Sequence, residues 1–374
     1  MALTDSAARA PGHHPGAFLV GAVAAALMTL VFLLWVVFGV GGDGRTLQVD
    51  DIGQLVAAWC ATVVCGTAAI RRTPGRVTWA LLAASSFSWG AGELVWCHYA
   101  LVRHVSVPFP SLADVGFLAA VPLAFAGLLH YFMGRHRTGA RVQAVLDGLI
   151  IATSLLFASW ATILGPLYRS HQGGPFKQMI SLAYPTSDVV MVSLVIILIA
   201  RAGPTGRVRL GLVMTGIVAF AVSDSAFSYL TEVNGYNGGS FLDTGWVAGY
   251  LLIALGALWA MTAPAPEVSE TEESVLSLIA PYVPVLVVLA VTAVQLLRGR
   301  PIGTVSWLMV LVLVVLVLGR ELRRLLGRSN DDDPCALDPG SQHRETATTA
   351  TATATATATT MATAGGALLG DDAP

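Results

Sequence analysis

The sequence has few charged residues, few cysteines and none of the common catalytic motifs. Only 12% of its 374 residues are charged, against about 25% in soluble domains, and its net charge is -2. These values exclude soluble enzymes, nucleic-acid-binding proteins and secreted disulfide scaffolds. The 4 cysteines form no CxxC pair, and no Walker loop, HExxH motif or nucleophile elbow occurs. We therefore expect no enzyme activity, no cofactor, no metal and no nucleic-acid partner.

Apolar side chains make up 55% of the sequence and are concentrated in long runs. About 20 apolar residues span about 30 Å of hydrocarbon, and ten runs are long enough to be candidates. They cover residues 17–40, 52–70, 77–102, 112–133, 142–167, 179–200, 210–230, 244–261, 275–297 and 304–318. The sequence therefore predicts an all-α, polytopic membrane helix bundle of about ten transmembrane helices over residues 17–325, after a disordered N-terminus at 1–16.

The C-terminal segment, residues 326–374, differs in composition from the rest of the chain. It contains three consecutive aspartates and then alternating Thr and Ala from about residue 346 to 360. Such a low-complexity segment cannot bury a core, so we expect it to be disordered. We also expect no catalytic domain after the last span. Any output then comes from the bundle, from the Arg-rich stub at 320–328 or from a separate cytoplasmic signalling protein.

Arginines are unevenly distributed between the two ends of the predicted spans. Three loops on one side carry three arginines each, at 71–76, 135–141 and 201–209, and four more follow the last span. Basic residues near helix ends stay in the cytoplasm, so we expect a plasma-membrane protein with both termini cytoplasmic. Arg298 and Arg300 count against this arrangement for the last two spans.

Carboxylates occur inside or at the edge of six predicted spans, although a charge at mid-bilayer costs about 2.5 to 3.5 kcal/mol. Asp147 stands near the cytoplasmic end, where the first turn of a helix accounts for it. No Lys or Arg lies within a predicted span to pair with the others. Those others converge towards the outer side and predict an outward-facing acidic pocket: Glu93, Asp114, Asp188, Asp224 and Asp243.

Two helical hairpins, residues 77–133 and 210–261, resemble each other. The run SLADVGFLA begins at Ser111, and the run SFLDTGWVA begins 129 residues later at Ser240. These runs predict a parallel internal repeat, in which Asp224 corresponds to Glu93.

The Ser-x-x-Asp pattern at both helix starts also matches a capping box, which is an alternative role for Asp114 and Asp243. Glu93, Asp188 and Asp224 lie far from a helix start. For these three, interhelical hydrogen bonding and ligand contact stay open as alternatives.

Aromatic and imidazole groups are concentrated at the same level as the acids. Trp89, Trp96 and Tyr184 join the five acids as predicted ligand-binding residues. A membrane-interface belt is one interpretation, and a cation or small polar ligand held by carboxylates and aromatic faces, under the loop 231–242, is the other. A metal held by Glu93 with His98 and His104 matches no established ligand spacing. The remaining members of this layer are Tyr99, Tyr229, Tyr236 and Trp246.

Several short motifs are similar to those of a known family of signalling proteins. They are Pro108-Phe109-Pro110-Ser111-Leu112-Ala113-Asp114, Val121-Pro122-Leu123-Ala124, Leu146-Asp147-Gly148-Leu149, Ala183-Tyr184-Pro185 before Asp188, and Asp243-x-Gly245-Trp246. Over roughly residues 77–261 the chain resembles the multi-pass N-terminal membrane region of actinobacterial GGDEF/EAL proteins, membrane-tethered enzymes that make or degrade cyclic di-GMP.

The resemblance implies a sensory or anchoring module without the family's enzyme activity, because the sequence lacks the catalytic region. We therefore expect a membrane sensor whose partners are the lipid bilayer, a small external ligand or cation, and a cytoplasmic signalling protein. A proton- or cation-coupled transporter is the alternative, because carboxylates without basic partners also suit ion coupling.

Overall fold

A computed structural model describes most of the chain from Pro15 to Asp331. The described residues are 15–71, 73–133, 138–170, 174–200, 204–232, 238–262, 279–299 and 303–331. Nearly all of the N-terminus and of the tail predicted to be disordered lies outside them. The chain divides into two units, residues 1–317 and 318–374. In the described part of the second unit, Glu321 pairs with Arg320 at 2.8 Å and with Arg324 at 3.7 Å.

The described residues form helices throughout and contain no strand, which confirms the all-α prediction. Three short turns interrupt or precede them: π-helical turns at His98–Val102 and Trp160–Leu164, and a 3₁₀ turn at Phe241–Asp243. The helices are α1 (Pro15–Phe38), α2 (Asp43–Ile70), α3 (Arg76–Cys97), α4 (Leu112–Met133), α5 (Thr138–Ser159), α6 (Gly165–Ser170), α7 (Gly174–Ala200), α8 (Pro204–Glu232), α9 (Thr244–Thr262), α10 (Tyr282–Leu297) and α11 (Thr304–Asp331).

Eight helical segments of the described chain are long and apolar enough to cross a membrane, so the protein is a polytopic membrane bundle. Two of the ten predicted spans, α3 and α10, are not both long and apolar enough to be counted. The helix α3 is long enough but carries buried polar side chains, among them Ser85, Ser86 and Glu93. The helix α10 has 16 residues and is about 24 Å long, shorter than the hydrocarbon core of about 30 Å.

Six of the helices pack into a closed ring. Its order is α2, α3, α4, α7, α8 and α9, and α9 returns to α2. Outside the ring, α1 packs on α2 and α9, α5 packs on α7, and α10 packs on α5. One half of the ring interior is filled by large apolar side chains, including Trp79, Leu82, Leu128, Val195 and Val213.

The contact between α3 and α4 recurs between α8 and α9. A Cβ atom added to Gly116 on α4 would lie 2.7 Å from the carbonyl oxygen of Ser88 on α3. A Cβ atom added to Gly245 on α9 would lie 2.8 Å from the carbonyl oxygen of Ala219 on α8. Both helix pairs therefore approach so closely that only glycine fits at the crossing.

The same correspondence holds at the glycines that lie about three helical turns further along α4 and α9. An added Cβ atom would lie 3.2 Å from the Thr78 carbonyl oxygen at Gly127, and 3.3 Å from the Arg209 carbonyl oxygen at Gly256. The glycines are 129 residues apart in both cases, and their α3 and α8 partners are 131 residues apart. The two extra residues fall in the connection between α3 and α4, which contains the π-helical turn His98–Val102.

The duplication includes more than the two hairpins. The helix α2 packs on α3 and on α9 of the other half, and α7 likewise packs on α8 and on α4. Outside the ring, α1 packs on α2 as α5 packs on α7. The ring is therefore built from two similar three-helix units, α2–α4 and α7–α9, and a further helix packs beside each unit.

Candidate functional site

A cavity of about 630 Å³ lies at the end of the ring where α2, α4 and α9 begin and α3 and α8 end. This volume falls within the range of about 300 to 1,000 Å³ that is usual for small-molecule sites. No Lys or Arg of the described chain lines the cavity, and His104 is its one imidazole. Five carboxylates line it: Asp50, Asp51, Glu93, Asp114 and Asp224.

Aromatic rings form much of the wall and the floor. The Trp89 ring centroid lies 4.9 Å from that of Phe117 and 5.0 Å from that of Tyr250. Phe220 completes this buried group, with its centroid 4.6 Å from Tyr250. We call Trp89, Phe220 and Tyr250 the aromatic floor, in which the Trp89 ring lines the cavity and Phe220 and Tyr250 pack against it. The other aromatic side chains that line the cavity are Trp96, Phe109, Phe117, Tyr184, Phe227 and Trp246.

The acids and their neighbours form two groups. The first acidic cluster comprises Asp50, Asp51, Glu93 and Asp243, contributed by α2, α3 and the start of α9. The second acidic cluster comprises Asp114, Asp188 and Asp224 with Tyr184, contributed by α4, α7 and α8.

Asp50 ties the first cluster to the segment before α9. Its Oδ2 accepts a hydrogen bond from the Gly239 backbone N–H at 2.9 Å, and its Oδ1 accepts one from Gln54 at 3.1 Å. Its carboxyl group also lies close to the carboxyl group of Asp243. Two carboxyl groups in such contact need a proton or a cation between their oxygens.

Glu93 has only a weak hydrogen-bond donor within the described chain. It is 3% exposed, and its contact within the described chain is the Cys97 thiol, whose Sγ lies 3.8 Å from Oε1. Asp51 lies close to the side chain of Trp96. A buried carboxylate that lines a cavity without a strong donor is suited to bind a ligand that brings its own donor.

In the second cluster, two carboxylates accept hydrogen bonds from aromatic side chains. The Tyr184 hydroxyl donates to Asp114 Oδ1 at 2.5 Å, and the Trp246 indole N–H donates to Asp224 Oδ1 at 2.6 Å. Asp188 lies close enough to Asp224 for their charges to interact. Its Oδ2 is buried and has no hydrogen-bond partner among the described residues.

Asp114 and Asp243 also cap their helices, as the Ser-x-x-Asp pattern predicts. The Ser111 backbone N–H donates to Asp114 Oδ2 at 2.6 Å, and the Ser240 backbone N–H donates to Asp243 Oδ2 at 2.7 Å. In Asp114 the second oxygen bonds Tyr184, so this side chain both caps α4 and lines the cavity.

The structure brings together six of the eight side chains that the sequence predicts as ligand contacts: Trp89, Trp96, Glu93, Asp114, Tyr184 and Asp224. The other two do not line the cavity. Asp243 is fully buried in the first cluster, because its carboxylate faces its own helix start. Asp188 lies beside Asp224, deeper along α7.

Sequence reasoning missed Asp50, Asp51 and Gln54, all of which line the cavity. The second span was predicted to begin at residue 52, whereas α2 begins at Asp43, so both aspartates lie within the helix. A four-residue spacing between Asp50 and Gln54 places them on one helix face, and this was the available signal.

Other members of the predicted aromatic layer have different positions. Tyr229 is 53% exposed, and neither His98 nor Tyr99 lines the cavity, whereas His104 does. The predicted closing loop 231–242 lies partly outside the described residues, including Tyr236. Its described part contributes Gly238 to the cavity wall. In the part of the chain that the structure describes, no three His, Cys, Asp or Glu side chains are placed to hold a metal ion.

The prediction for Asp147 is wrong in one respect. Its helix α5 begins at Thr138, so Asp147 lies in the third turn and is 4% exposed, not in a first turn. Its Oδ1 accepts a hydrogen bond from Gln143 at 3.5 Å, and it does not line the cavity.

Comparison of the chain with protein families, with characterised proteins and with solved structures finds no match. The functional interpretation therefore depends on the geometry of the cavity.

Proposed function

We propose that this chain is the membrane sensor of a signalling system and that its cavity binds a small organic cation at the outer face. The observation that carries the proposal is that five carboxylates and several aromatic faces line one cavity that no Lys or Arg of the described chain enters. Carboxyl groups in such a place need either a proton or compensating positive charge. Aromatic faces add cation–π attraction to a bound ammonium group.

The contacts of the carboxylates favour an organic cation over a metal ion. Several protein donors already hold one carboxylate oxygen each, as Trp246 does for Asp224. The oxygens are spread around the wall, and no group of three His, Cys, Asp or Glu in the described chain is placed to hold one metal. A larger cation with several N–H donors or a quaternary ammonium group fits this distribution.

The outer face is inferred from the arginines. The cavity lies at the end of the ring opposite the helix ends that carry Arg71, Arg76 and Arg207. Since basic residues near helix ends stay in the cytoplasm, the cavity opens to the outside. The resemblance of residues 77–261 to the membrane region of GGDEF/EAL proteins supports a sensory role and a separate cytoplasmic signalling protein as its partner.

A cation- or proton-coupled transporter is the second candidate, and Asp188 is the observation that favours it. This acid lies beyond the cavity lining, beside Asp224, with one buried oxygen that has no hydrogen-bond partner among the described residues. An ion that left the cavity towards the membrane interior would therefore meet Asp188 next. Beyond it, large apolar side chains such as Leu82, Leu128 and Val213 fill the ring, which favours a site with one opening.

Binding can be followed by the fluorescence of the cavity tryptophans in the full chain purified in lipid nanodiscs. We expect saturable changes with tetramethylammonium and with primary alkylamines, and none with carboxylates of similar size. The variant Glu93→Gln keeps the shape of the side chain and should weaken binding by about tenfold or more. The matched control is Asp43→Asn, because Asp43 begins α2 at the same end but is exposed and outside the cavity. Equal binding by the Glu93→Gln and Asp43→Asn variants would contradict the proposed site.

Uptake into proteoliposomes separates the two candidate functions. A sensor binds the labelled cation without accumulating it in the lumen. Accumulation that the Asp188→Asn variant abolishes would instead establish the transporter.

A further inference from the structure

We infer that the ligand is a dication, with two ammonium groups joined by an apolar chain. This inference rests on the proposed cation-binding function and specifies its ligand. It follows from the arrangement of the acids, which form two separate clusters in one cavity and not one continuous acidic surface.

The clusters lie on opposite halves of the ring. Consecutive helices α9, α2 and α3 supply the first cluster, and consecutive helices α4, α7 and α8 supply the second. The charges interact within a cluster: Glu93 with Asp50, Asp51 and Asp243, and Asp188 with Asp224.

Between the clusters lies the aromatic floor. Tyr250 of this floor interacts electrostatically with both Glu93 and Asp224, so it stands between the two halves. Trp89 packs on Tyr250 and on Phe220 and presents its ring to the cavity. A hydrocarbon chain that crosses this floor would bury apolar surface against the Trp89 ring.

Two cavity-lining acids that each have a free oxygen occupy corresponding positions in the two repeats. Asp224 follows Glu93 by 131 residues, the same spacing that relates the α3 and α8 contacts with the glycines. Asp224 Oδ2 and Glu93 Oε2 accept no hydrogen bond from any described residue, whereas Asp114 and Asp243 use their carboxylates as helix caps. One ammonium group reaches one of these acids and leaves the other uncompensated, but two linked ammonium groups compensate both.

The test compares α,ω-diaminoalkanes of increasing chain length with n-alkylamines of the same length, on the unmodified full chain in nanodiscs. We expect the best diamine to bind about tenfold or more tightly than its matched monoamine, because it gains a second charge-assisted hydrogen bond. Affinity should pass through a maximum with chain length, since only one length spans both acids.

Two variants locate the ends of the ligand. Glu93→Gln and Asp224→Asn should each abolish the advantage of the diamine over its matched monoamine, because one of the two ammonium groups then lacks its acid. Asp43→Asn should leave both affinities unchanged. Melting temperatures check that the variants fold, and the chain-length series on the unmodified protein decides the question if they do not.

The outcomes distinguish this inference from the proposed function. Monoamines that bind as tightly as diamines of every length would overturn the dication and leave the cation site intact. Absence of binding by either series would overturn both.

Discussion

The close contact between α3 and α4 beside the cavity is the feature that one added methyl group should disturb most. A Cβ atom at Gly116 would lie 2.6 Å from the Gly92 backbone nitrogen and 2.7 Å from the Ser88 carbonyl oxygen. Both are backbone atoms, so no side-chain rotation relieves the overlap and the helices must separate. Overpacking of this kind costs about 1 to 3 kcal/mol. Replacing glycine in a helix returns up to about 1 kcal/mol. We therefore expect Gly116→Ala to lower the free energy of unfolding by up to about 2 kcal/mol.

The assay is thermal or SDS-induced unfolding of the purified chain, with two comparison variants. At Gly211 on α8 an added Cβ atom meets nothing within 4 Å, so Gly211→Ala should stabilise the protein slightly. At Gly245, the repeat partner of Gly116, it would overlap the Ser223 hydroxyl and lie 2.8 Å from the Ala219 carbonyl oxygen. Gly245→Ala should therefore cost as much as Gly116→Ala.

Cation affinity should change together with stability in the Gly116→Ala variant. Gly92 directly precedes Glu93, so a displacement of α3 from α4 also displaces this carboxylate. If Gly116→Ala is as stable as Gly211→Ala, the two helices do not approach at this point. The correspondence between the two repeats would then be refuted.

Three other predictions follow from single contacts and from the loops. Tyr184→Phe removes the hydrogen bond to Asp114 and should lower the free energy of unfolding by about 1 kcal/mol. The control is Tyr229→Phe, which changes an exposed ring and should leave the free energy of unfolding unchanged in the same assay. Asp243→Ala removes a helix cap and should cost about 1 kcal/mol, with Asp243→Asn costing less because an amide oxygen also accepts from the Ser240 N–H. A reporter active only in the cytoplasm should be active when fused at either terminus, and activity of a periplasmic reporter at Asn330 would contradict the inferred orientation.

Hydrophobic run length predicts the helices of this protein well, because a membrane demands long apolar segments whatever their partners are. It is less informative where helices contact one another and not lipid, although the run at 77–102 does predict α3. The helix α3 lies between α2 and α4, so it carries serines and Glu93 that a lipid-facing helix would exclude. The same reason explains the start of α2, since Asp50 and Asp51 stand on a buried face where apolar composition cannot mark a helix.

The position of an acid along the chain predicts its level along the helix but not the direction in which its side chain points. Successive residues of a helix point about 100° apart, and helices that are apolar on every side give no signal for their rotation. Asp188 was therefore expected in the cavity together with Asp224, although the structure places it behind the lining. The capping role of Asp114 and Asp243 was predictable, because it depends on a local spacing and not on helix rotation.

The difference between the capping acids and Glu93 and Asp224 also explains why so many carboxylates coexist in one bundle. An acid at the start of a helix finds backbone N–H groups that the helix leaves free, as Asp114 does with the Ser111 N–H. An acid in the middle of a helix finds none, because every backbone N–H there is already bonded within the helix. Glu93 and Asp224 are in this second position, and each has one oxygen that no described residue satisfies. The fold therefore stabilises its capping acids by itself, and the unsatisfied oxygens of Glu93 and Asp224 are where a ligand with positive charge gains most.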